Sequence, residues 1–240
     1  MPIPLVTIVQ GAQQPAVEGV NRPLRAVLRF PDQSVRAGYV KPMAPACVAA
    51  EAFCALLLRG WGLNVPEPTI VADPFAFVSI DAGYPNLKQR IGWSDALPPQ
   101  VRDLLRQHGA RLVAGFADTP RALAADEAID NRDRNLGNIL RDGGSVAWID
   151  HERSLGVVPQ ADANKLALMT IMAGDAGEVQ RSAIAIALTL GTQAVADASQ
   201  ECESLPEVAT FAAAITTRLP GLAQRVLARF PQPADLLAQP

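Results

Sequence analysis

Short apolar runs, broken by turn-forming residues, fill the first third of the chain. Five of these runs have the length and the β-branched or aromatic content of strands: LVTIVQ, LRAVLRF, VRAGYVK, TIVAD and FAFVSI. The segment between the third and fourth runs, ACVAAEAFCALLLRG, is instead typical of a helix, which Gly60 and Gly62 end. Residues 1–82 are therefore predicted to form about five strands and one helix.

The spacing of apolar residues becomes helical after Pro98 and Pro99. The predicted helices cover residues 101–116, 121–129, 164–173, 177–190, 206–218 and 221–230. A predicted β-hairpin at residues 138–149 interrupts them. The sequence thus predicts an α+β fold in which a β-rich part (1–82) is joined by a connection (83–99) to a helical part (100–240).

Composition limits the classes of function. Hydrophobic residues make up 49% and charged residues 19% of the 240-residue chain, so we expect a packed core. The net charge of −3 gives no general electrostatic reason to expect nucleic-acid binding. The sequence has no apolar run of roughly 18 residues and begins with a poor secretory signal, so we expect a cytoplasmic protein without a membrane partner. Three cysteines without a CxxC pair argue against a disulfide framework or a zinc site.

The predicted hairpin gathers polar side chains that could bind a metal. Its turn is Asp142-Gly143-Gly144, and pairing the strands on either side brings the loop before the first strand next to the residue after the second. Asp133, Asn138 and Asp150 are then expected to lie close together. Two carboxylates and an amide oxygen suit a hard cation such as Mg²⁺, which prefers oxygen ligands.

Two charged residues of the β-rich part form a candidate pair. Lys41 ends the third predicted strand, and Glu51 is the only charged residue between Lys41 and Arg59. A carboxylate among Ala, Val, Phe, Cys and Leu neighbours is costly unless it finds a cation, and Lys41 is the nearest one along the chain. Taken singly, Glu51 could lie on a solvent face, and Asp133 could form an exposed ion pair with Arg134.

The order of these residues is that of a protein-kinase-like phosphotransferase. A strand lysine and a helix glutamate are followed by a D-x-x-x-x-N loop and then by an aspartate after a short hairpin. Asp133 and Asn138 have the five-residue separation of the kinase catalytic loop. Other chemistries lack their motifs, because the sequence contains no Walker P-loop, no G-x-S-x-G and no H-E-x-x-H.

At these residues the chain resembles the HipA-like kinases, a bacterial branch related in fold to phosphatidylinositol kinases and protein kinases. The resemblance covers roughly residues 17–158 and is carried by NRDRNLGNIL and WIDHE. It is supported by GYVKP, AAEAFCALLLRGWGLNVPEP and TIVADPFAFVSI. It implies a bilobal kinase-like fold with a small β-rich N-lobe and a larger helical C-lobe.

The resemblance also implies roles for individual residues. Asp133 would accept the proton of the attacking hydroxyl or orient that hydroxyl. Asn138 and Asp150 would hold Mg²⁺ on the phosphates of ATP. Lys41 would contact the α- and β-phosphates, steadied by Glu51.

Two further nucleotide contacts are expected from the resemblance. The turn that contains Gly19 would cover the phosphates, although the sequence has no G-x-G-x-x-G loop there. Residues 79–83 would form the hinge that meets the adenine through backbone groups.

We therefore expect an ATP- and Mg²⁺-dependent kinase whose acceptor is a Ser or Thr hydroxyl of a protein. A phosphoinositide-kinase-like enzyme acting on a lipid or small molecule is one alternative. The other is a pseudokinase that serves as a protein-interaction module, because the Ala and Leu faces of the helical C-terminal region could bind a protein partner.

Overall fold

The β-rich part of the chain forms a closed five-stranded barrel in a computed structural model that describes residues 2–15, 23–174 and 176–231. Its strands are β1 (Leu5–Pro15), β2 (Leu24–Arg29), β3 (Val35–Lys41), β4 (Pro68–Val71) and β5 (Ala76–Ile80). They lie in the order β1-β2-β3-β5-β4, and a parallel pairing of β1 with β4 closes the barrel. All five predicted strands are confirmed, and β1 extends further than its apolar run indicated.

Helices dominate the rest of the chain. They are α1 (Pro45–Gly60), α2 (Leu87–Arg90), α3 (Pro99–Ala114), α4 (Thr119–Ile129), α5 (Lys165–Ala173), α6 (Ala176–Ala187), α7 (Gln193–Glu201), α8 (Val208–Arg218) and α9 (Leu222–Leu227). The predicted hairpin is present as β6 (Ile139–Asp142) and β7 (Ser145–Trp148). The predicted α+β class is therefore confirmed. The sequence did not predict α2, which is one turn long, or α7, in which Val195 is the one strongly apolar residue.

The barrel and the helices have separate hydrophobic cores. A small cluster fills the barrel: Val6, Ala26, Leu28, Phe30, Val40, Val71, Ala76 and Val78. A much larger cluster joins α1 to the helices that follow the hairpin. Within it the rings of Phe53 and Phe211 lie 6.2 Å apart, and the indole of Trp61 donates a hydrogen bond of 3.1 Å to the Gly191 carbonyl. Helix α1 therefore fixes the position of the preceding strand β3 relative to the helical part.

In the described ranges, no helix combines the length and the apolar character that crossing a bilayer requires.

Gly38 in β3 is required by close packing inside the barrel. A Cβ atom added there would lie 2.6 Å from Leu28 Cδ1, 3.0 Å from Val78 Cγ1 and 3.1 Å from the Ser79 carbonyl oxygen. We predict that Gly38→Ala lowers the free energy of unfolding by about 1–3 kcal/mol, because both neighbouring strands must shift to admit the methyl group.

Urea denaturation measures this loss, and Gly144→Ala is the matched control. No atom lies within 4 Å of a Cβ added at Gly144, so its free energy of unfolding should change by less than about 0.5 kcal/mol. Equal stability of the two variants would contradict the packing of β3 between Leu28 and Ser79.

Candidate active site

Lys41 lies between two carboxylates that come from distant parts of the chain. Its amine is 2.7 Å from Asp150 Oδ1, after the hairpin, and 3.3 Å from Glu51 Oε1, on α1. The ammonium also lies 5.9 Å from the centre of the Phe77 ring on the neighbouring strand β5. Burial alone would lower the pKa of Lys41, but the charges of Glu51 and Asp150 outweigh it and raise the pKa. Lys41 is therefore a fixed cation.

Glu51 is the more deeply buried of the two carboxylates. Its side chain is 2% exposed, and its second oxygen accepts a hydrogen bond from the backbone N–H of His151. Burial raises the pKa of Glu51 to about 7, against the opposing effect of Lys41. Lys41 lies closer to Asp150 than to Glu51, and we assign Asp150 as its main partner. Burial disfavours the Asp150 carboxylate, but Lys41 and Arg134 together lower its pKa.

Asn138 and Asp150 lie at the base of the hairpin, on its two sides. The N–H of Ile149 donates a hydrogen bond of 3.1 Å to the Asn138 carbonyl and so closes the base of the β6–β7 pair. Asp150 follows immediately, with a positive φ of 70° that turns the chain out of the strand. The Asn138 side-chain nitrogen donates to the Asp133 carbonyl at 3.1 Å, which ties the loop to the hairpin.

The Asp133 carboxylate is held by two cations that the sequence reasoning did not assign. Lys165, the first residue of α5, contacts one oxygen, and Arg153 Nη1 lies 3.4 Å from the other. The side chains of Lys165 and Arg153 are 52% and 44% exposed, and that of Asp133 is 25% exposed. The carboxylate is therefore paired with two cations and partly open to solvent.

Arg134 is not the exposed partner of Asp133 that its position in the sequence allowed. It is fully buried and forms two hydrogen bonds, of 2.7 and 3.1 Å, to the equally buried Asp126 of α4. Its guanidinium also donates to the carbonyl of Ile149, the residue before Asp150. Arg134 therefore couples the loop, α4 and the end of the hairpin from inside the protein.

Glu127, the neighbour of Asp126 on α4, is also buried and binds side chains from three other segments of the chain. One of its oxygens accepts hydrogen bonds from Asn164 at 2.8 Å, Arg229 at 2.9 Å and Arg132 at 3.2 Å. Burial raises the pKa of Glu127, and the Asn164 hydrogen bond and Arg132 oppose that shift. Two adjacent acids at the end of an Ala-rich helix were the one sequence signal for this network.

His151 is buried beside Glu51 without acting as a cation. Its side chain is 1% exposed, and within the described ranges neither ring nitrogen has a hydrogen-bond partner. Burial, followed by the positive charges of Arg134 and Lys41, holds the pKa of His151 well below its usual range. The ring is therefore neutral, and its 3.9 Å separation from Glu51 is not an ion pair.

Of the two further nucleotide contacts expected from the resemblance, one falls on residues that the structure describes. Gly19 lies outside the described residues. Residues 79–83 run from the end of β5 towards α2, and the Asp81 carboxylate accepts hydrogen bonds from the Gly83 N–H and the Arg25 guanidinium.

Two shallow cavities of about 580 and 420 Å³ lie among the helices. They are lined by residues of the helical part and by the C-terminal end of α1, and neither includes Lys41, Asp133 or Asp150. The Lys41–Asp150 ion pair itself spans the space between barrel and hairpin.

The side chains around Asp150 fit a magnesium ion bound together with phosphate. Among the residues with described positions, no group of three His, Cys, Asp or Glu side chains could hold a metal alone. Mg²⁺ does not need such a cage, because it usually binds one or two protein oxygens and completes its shell with water and substrate phosphates. The Asn138 side-chain nitrogen is engaged by Asp133, which leaves the Asn138 side-chain oxygen and the second Asp150 oxygen as the donor atoms.

The buried Arg134–Asp126 pair generates a stability prediction. We expect Arg134→Met to lower the free energy of unfolding by about 3–5 kcal/mol, because it leaves the Asp126 charge buried without its main partner. Denaturant unfolding tests this. Arg106→Met removes an exposed pair with Asp103 and should cost less than about 1 kcal/mol. If both variants lose less than about 1 kcal/mol, the Asp126 charge does not depend on Arg134 for its compensation, and the prediction is wrong.

The raised pKa of Glu51 generates a pH prediction. Since its folded-state pKa of about 7 lies above the ordinary value of 4.5, Glu51 contributes stability that is fully present below pH 4.5 and is lost as the pH rises to 7. Glu51→Gln cannot titrate. The stability of wild type minus that of Glu51→Gln should therefore fall between pH 4.5 and 7 and stay constant at higher pH. A difference that rises over that window contradicts the assignment; thermal unfolding in a pH series measures it.

Comparison with known proteins shows a similarity in fold to two solved structures. No family model and no curated protein matches the chain. The proinflammatory kinase CtkA of Helicobacter pylori matches with a TM-score of 0.56 and 13% identity, over 93% of this chain and 97% of CtkA. HipA, from the complex of a Shewanella oneidensis MR-1 toxin–antitoxin system with HipB and operator DNA, matches with a TM-score of 0.51 and 16% identity. That match covers 92% of this chain and 66% of HipA. The predicted resemblance to HipA-like kinases is thereby confirmed for the fold of the chain.

Proposed function

We propose that this chain is an ATP- and Mg²⁺-dependent kinase of the HipA-like type that phosphorylates a Ser or Thr hydroxyl of a protein. One observation carries the proposal. Lys41 of the barrel and Asp150 of the hairpin, 109 residues apart, meet at 2.7 Å, and Glu51 contacts the same ammonium from behind. Phosphoryl transfer depends on positioning and charge neutralisation, and this arrangement supplies a fixed cation and a fixed anion at one point.

Lys41 binds the α- and β-phosphates of ATP in this proposal. Glu51 keeps the ammonium directed into the site, and the carboxylate is itself held by the His151 N–H. When bound, Mg²⁺ supplies charge neutralisation and alignment of the phosphates. Asn138 and Asp150 are the residues that would hold it.

Asp133 positions the acceptor hydroxyl and takes its proton. Its carboxylate is partly exposed, and its backbone carbonyl accepts hydrogen bonds from the side chains of Asn135 and Asn138. The carboxylate therefore has a defined place next to the proposed metal ligand. The side chains that hold it, Lys165 and Arg153, come from segments that follow the hairpin.

The proposed enzyme is bilobal. Residues 1–82 form the N-lobe, residues 83–99 the connection and residues 100–240 the C-lobe. In this arrangement residues 79–83 meet the adenine. Similarity in fold to CtkA, which is described as a kinase, supports phosphotransfer, and the proposed location is the cytoplasm.

Binding of ATP with Mg²⁺ tests the proposal directly. We expect ATP to raise the thermal unfolding temperature only modestly alone and clearly with Mg²⁺, since saturation at 100 times Kd adds about 2.7 kcal/mol. Asp150→Asn should lose the Mg²⁺-dependent part, with an affinity loss of at least about tenfold. Asp142→Asn, an exposed position on the same hairpin, should behave as wild type.

The acceptor class is tested with radiolabelled ATP and cell lysate. Labelled protein bands that disappear with Asp133→Asn support the protein kinase. Label found only in lipid or small-molecule fractions would replace the proposed acceptor by that of a lipid or small-molecule kinase. Absence of any stabilisation by ATP and Mg²⁺ would instead favour the pseudokinase.

A further inference from the structure

The solvent face of α5 begins at the proposed base and continues as an apolar strip. Lys165, which contacts the Asp133 carboxylate, is followed on the same face by Leu168 and Met172. At 3.6 residues per turn these three side chains project within about 60° of one another. Leu168 and Met172 are 49% and 47% exposed, whereas the residues between them on the other side of the helix are buried. We call these three residues the α5 face.

The position of the α5 face relative to Asp133 is fixed by the buried network. Asn164 caps the helix by accepting hydrogen bonds from the N–H groups of Leu166 and Ala167, and its side-chain nitrogen donates to Glu127. The N–H of Lys165 also donates to the Arg132 carbonyl, the residue before Asp133. Hydrogen bonds therefore hold the start of α5 against the loop that carries Asp133.

The end of the α5 face nearest Asp133 carries excess positive charge. Lys165 and Arg153 share one carboxylate, and both remain roughly half exposed. The neighbouring cations Arg132 and Arg134 are already matched by buried acids. The chain as a whole has a net charge of −3, but Lys165 and Arg153 make this surface locally positive. It would attract an anionic group next to the proposed position of the acceptor hydroxyl.

An acidic polypeptide matches this surface better than a membrane does. Two adjacent exposed apolar side chains offer a contact for one or two apolar residues of a partner. Membrane binding scales with buried apolar area, and Leu168 and Met172 alone offer little of it. Asp162, just before the start of α5, is already paired with Arg132 and Arg229. An extended peptide that crosses from Lys165 towards Met172 spans roughly 10 Å, which is about three residues.

We propose that the α5 face docks the acceptor polypeptide, with an acidic residue of the partner at Lys165 and Arg153 and an apolar residue about three positions away at Leu168 and Met172. This inference rests on the proposed kinase function. It adds an acceptor class, namely Ser or Thr segments that combine an adjacent acid with a nearby large apolar residue.

The test is phosphorylation of lysate proteins by the double variant Leu168→Glu, Met172→Glu. Both side chains are exposed, so the variant should fold, and stabilisation by ATP and Mg²⁺ should equal that of wild type. Labelling of lysate proteins should fall at least about tenfold. The matched control is Leu188→Glu, which changes a 75% exposed leucine after α6 and should label proteins as wild type does.

Mass spectrometry of the phosphorylated sites provides the second readout. Sites labelled by wild type should be enriched in Asp or Glu next to the acceptor and in large apolar residues about three positions away. Residual sites labelled by the double variant should lose the apolar enrichment.

Three results would overturn the inference. The first is equal protein labelling by the double variant and Leu188→Glu, and the second is a wild-type site set without either enrichment. The third is retention of wild type, but not of the double variant, on vesicles of phosphatidylcholine and phosphatidylserine, which would assign the α5 face to a membrane surface. If wild type binds ATP and Mg²⁺ but labels no protein, the proposed acceptor class fails and the docking surface fails with it. If ATP does not bind, the kinase proposal itself fails.

Discussion

The structure depends on the compensation of one buried ammonium. Lys41 comes from β3, Glu51 from α1 and Asp150 from the end of the hairpin, so the three charges meet only when barrel, helix and hairpin are assembled together. Removing charged groups from water is expensive, and a buried ion left without its partner destabilises a protein more than the pair stabilises it. The contact therefore specifies one arrangement of these segments more than it adds net stability. The same arrangement gives the site its opposite charges a few ångströms apart.

A second set of buried charges holds the loop that carries Asp133 and Asn138. The adjacent acids Asp126 and Glu127 at the end of α4 are both fully buried, and they bind Arg134 and Arg132 of the loop. Loops are usually the more mobile parts of a fold, because their backbone groups face water rather than a ladder of neighbours. Here the side chains of Arg132 and Arg134 bind buried acids, so the loop backbone is held in place by contacts with the protein interior. Under the proposed function, this support from the core would hold Asp133 in the fixed geometry that a reacting group requires.

Much of this arrangement was predictable, and the reason for each failure is physical. Strand runs, the Gly143 turn and the lone Glu51 are local signals, and the order of the motifs placed Lys41 and Asp150 in one site. Arg134 follows Asp133 directly, which suggested a shared solvent face, but successive side chains of a non-helical backbone project in different directions. The contacts of Glu127 with residues 164 and 229 join positions 37 and 102 residues apart, and no local pattern records such pairings. Helix α7 was missed because alanine and polar residues make up all of it except Val195, so few strongly apolar residues mark its buried side.

Under the proposed function, the charge pairs of the site would let a nucleotide bind without leaving a buried charge unpaired. In the structure Lys41 neutralises Asp150, and Lys165 with Arg153 neutralises Asp133. In such binding, a phosphate chain with Mg²⁺ would bring anions for Lys41 and a cation for Asp150. Each residue would then exchange its present partner for one that carries the same charge as that partner. Because the number of opposite-charge contacts is kept or increased, the exchange avoids the large cost of an unpaired buried ion. The ATP phosphates alone would supply the anion but not the cation, and Asp150 would then face them as a like charge. Under the proposed function, the geometry of Lys41 and Asp150 would therefore make the nucleotide and its metal mutually dependent ligands.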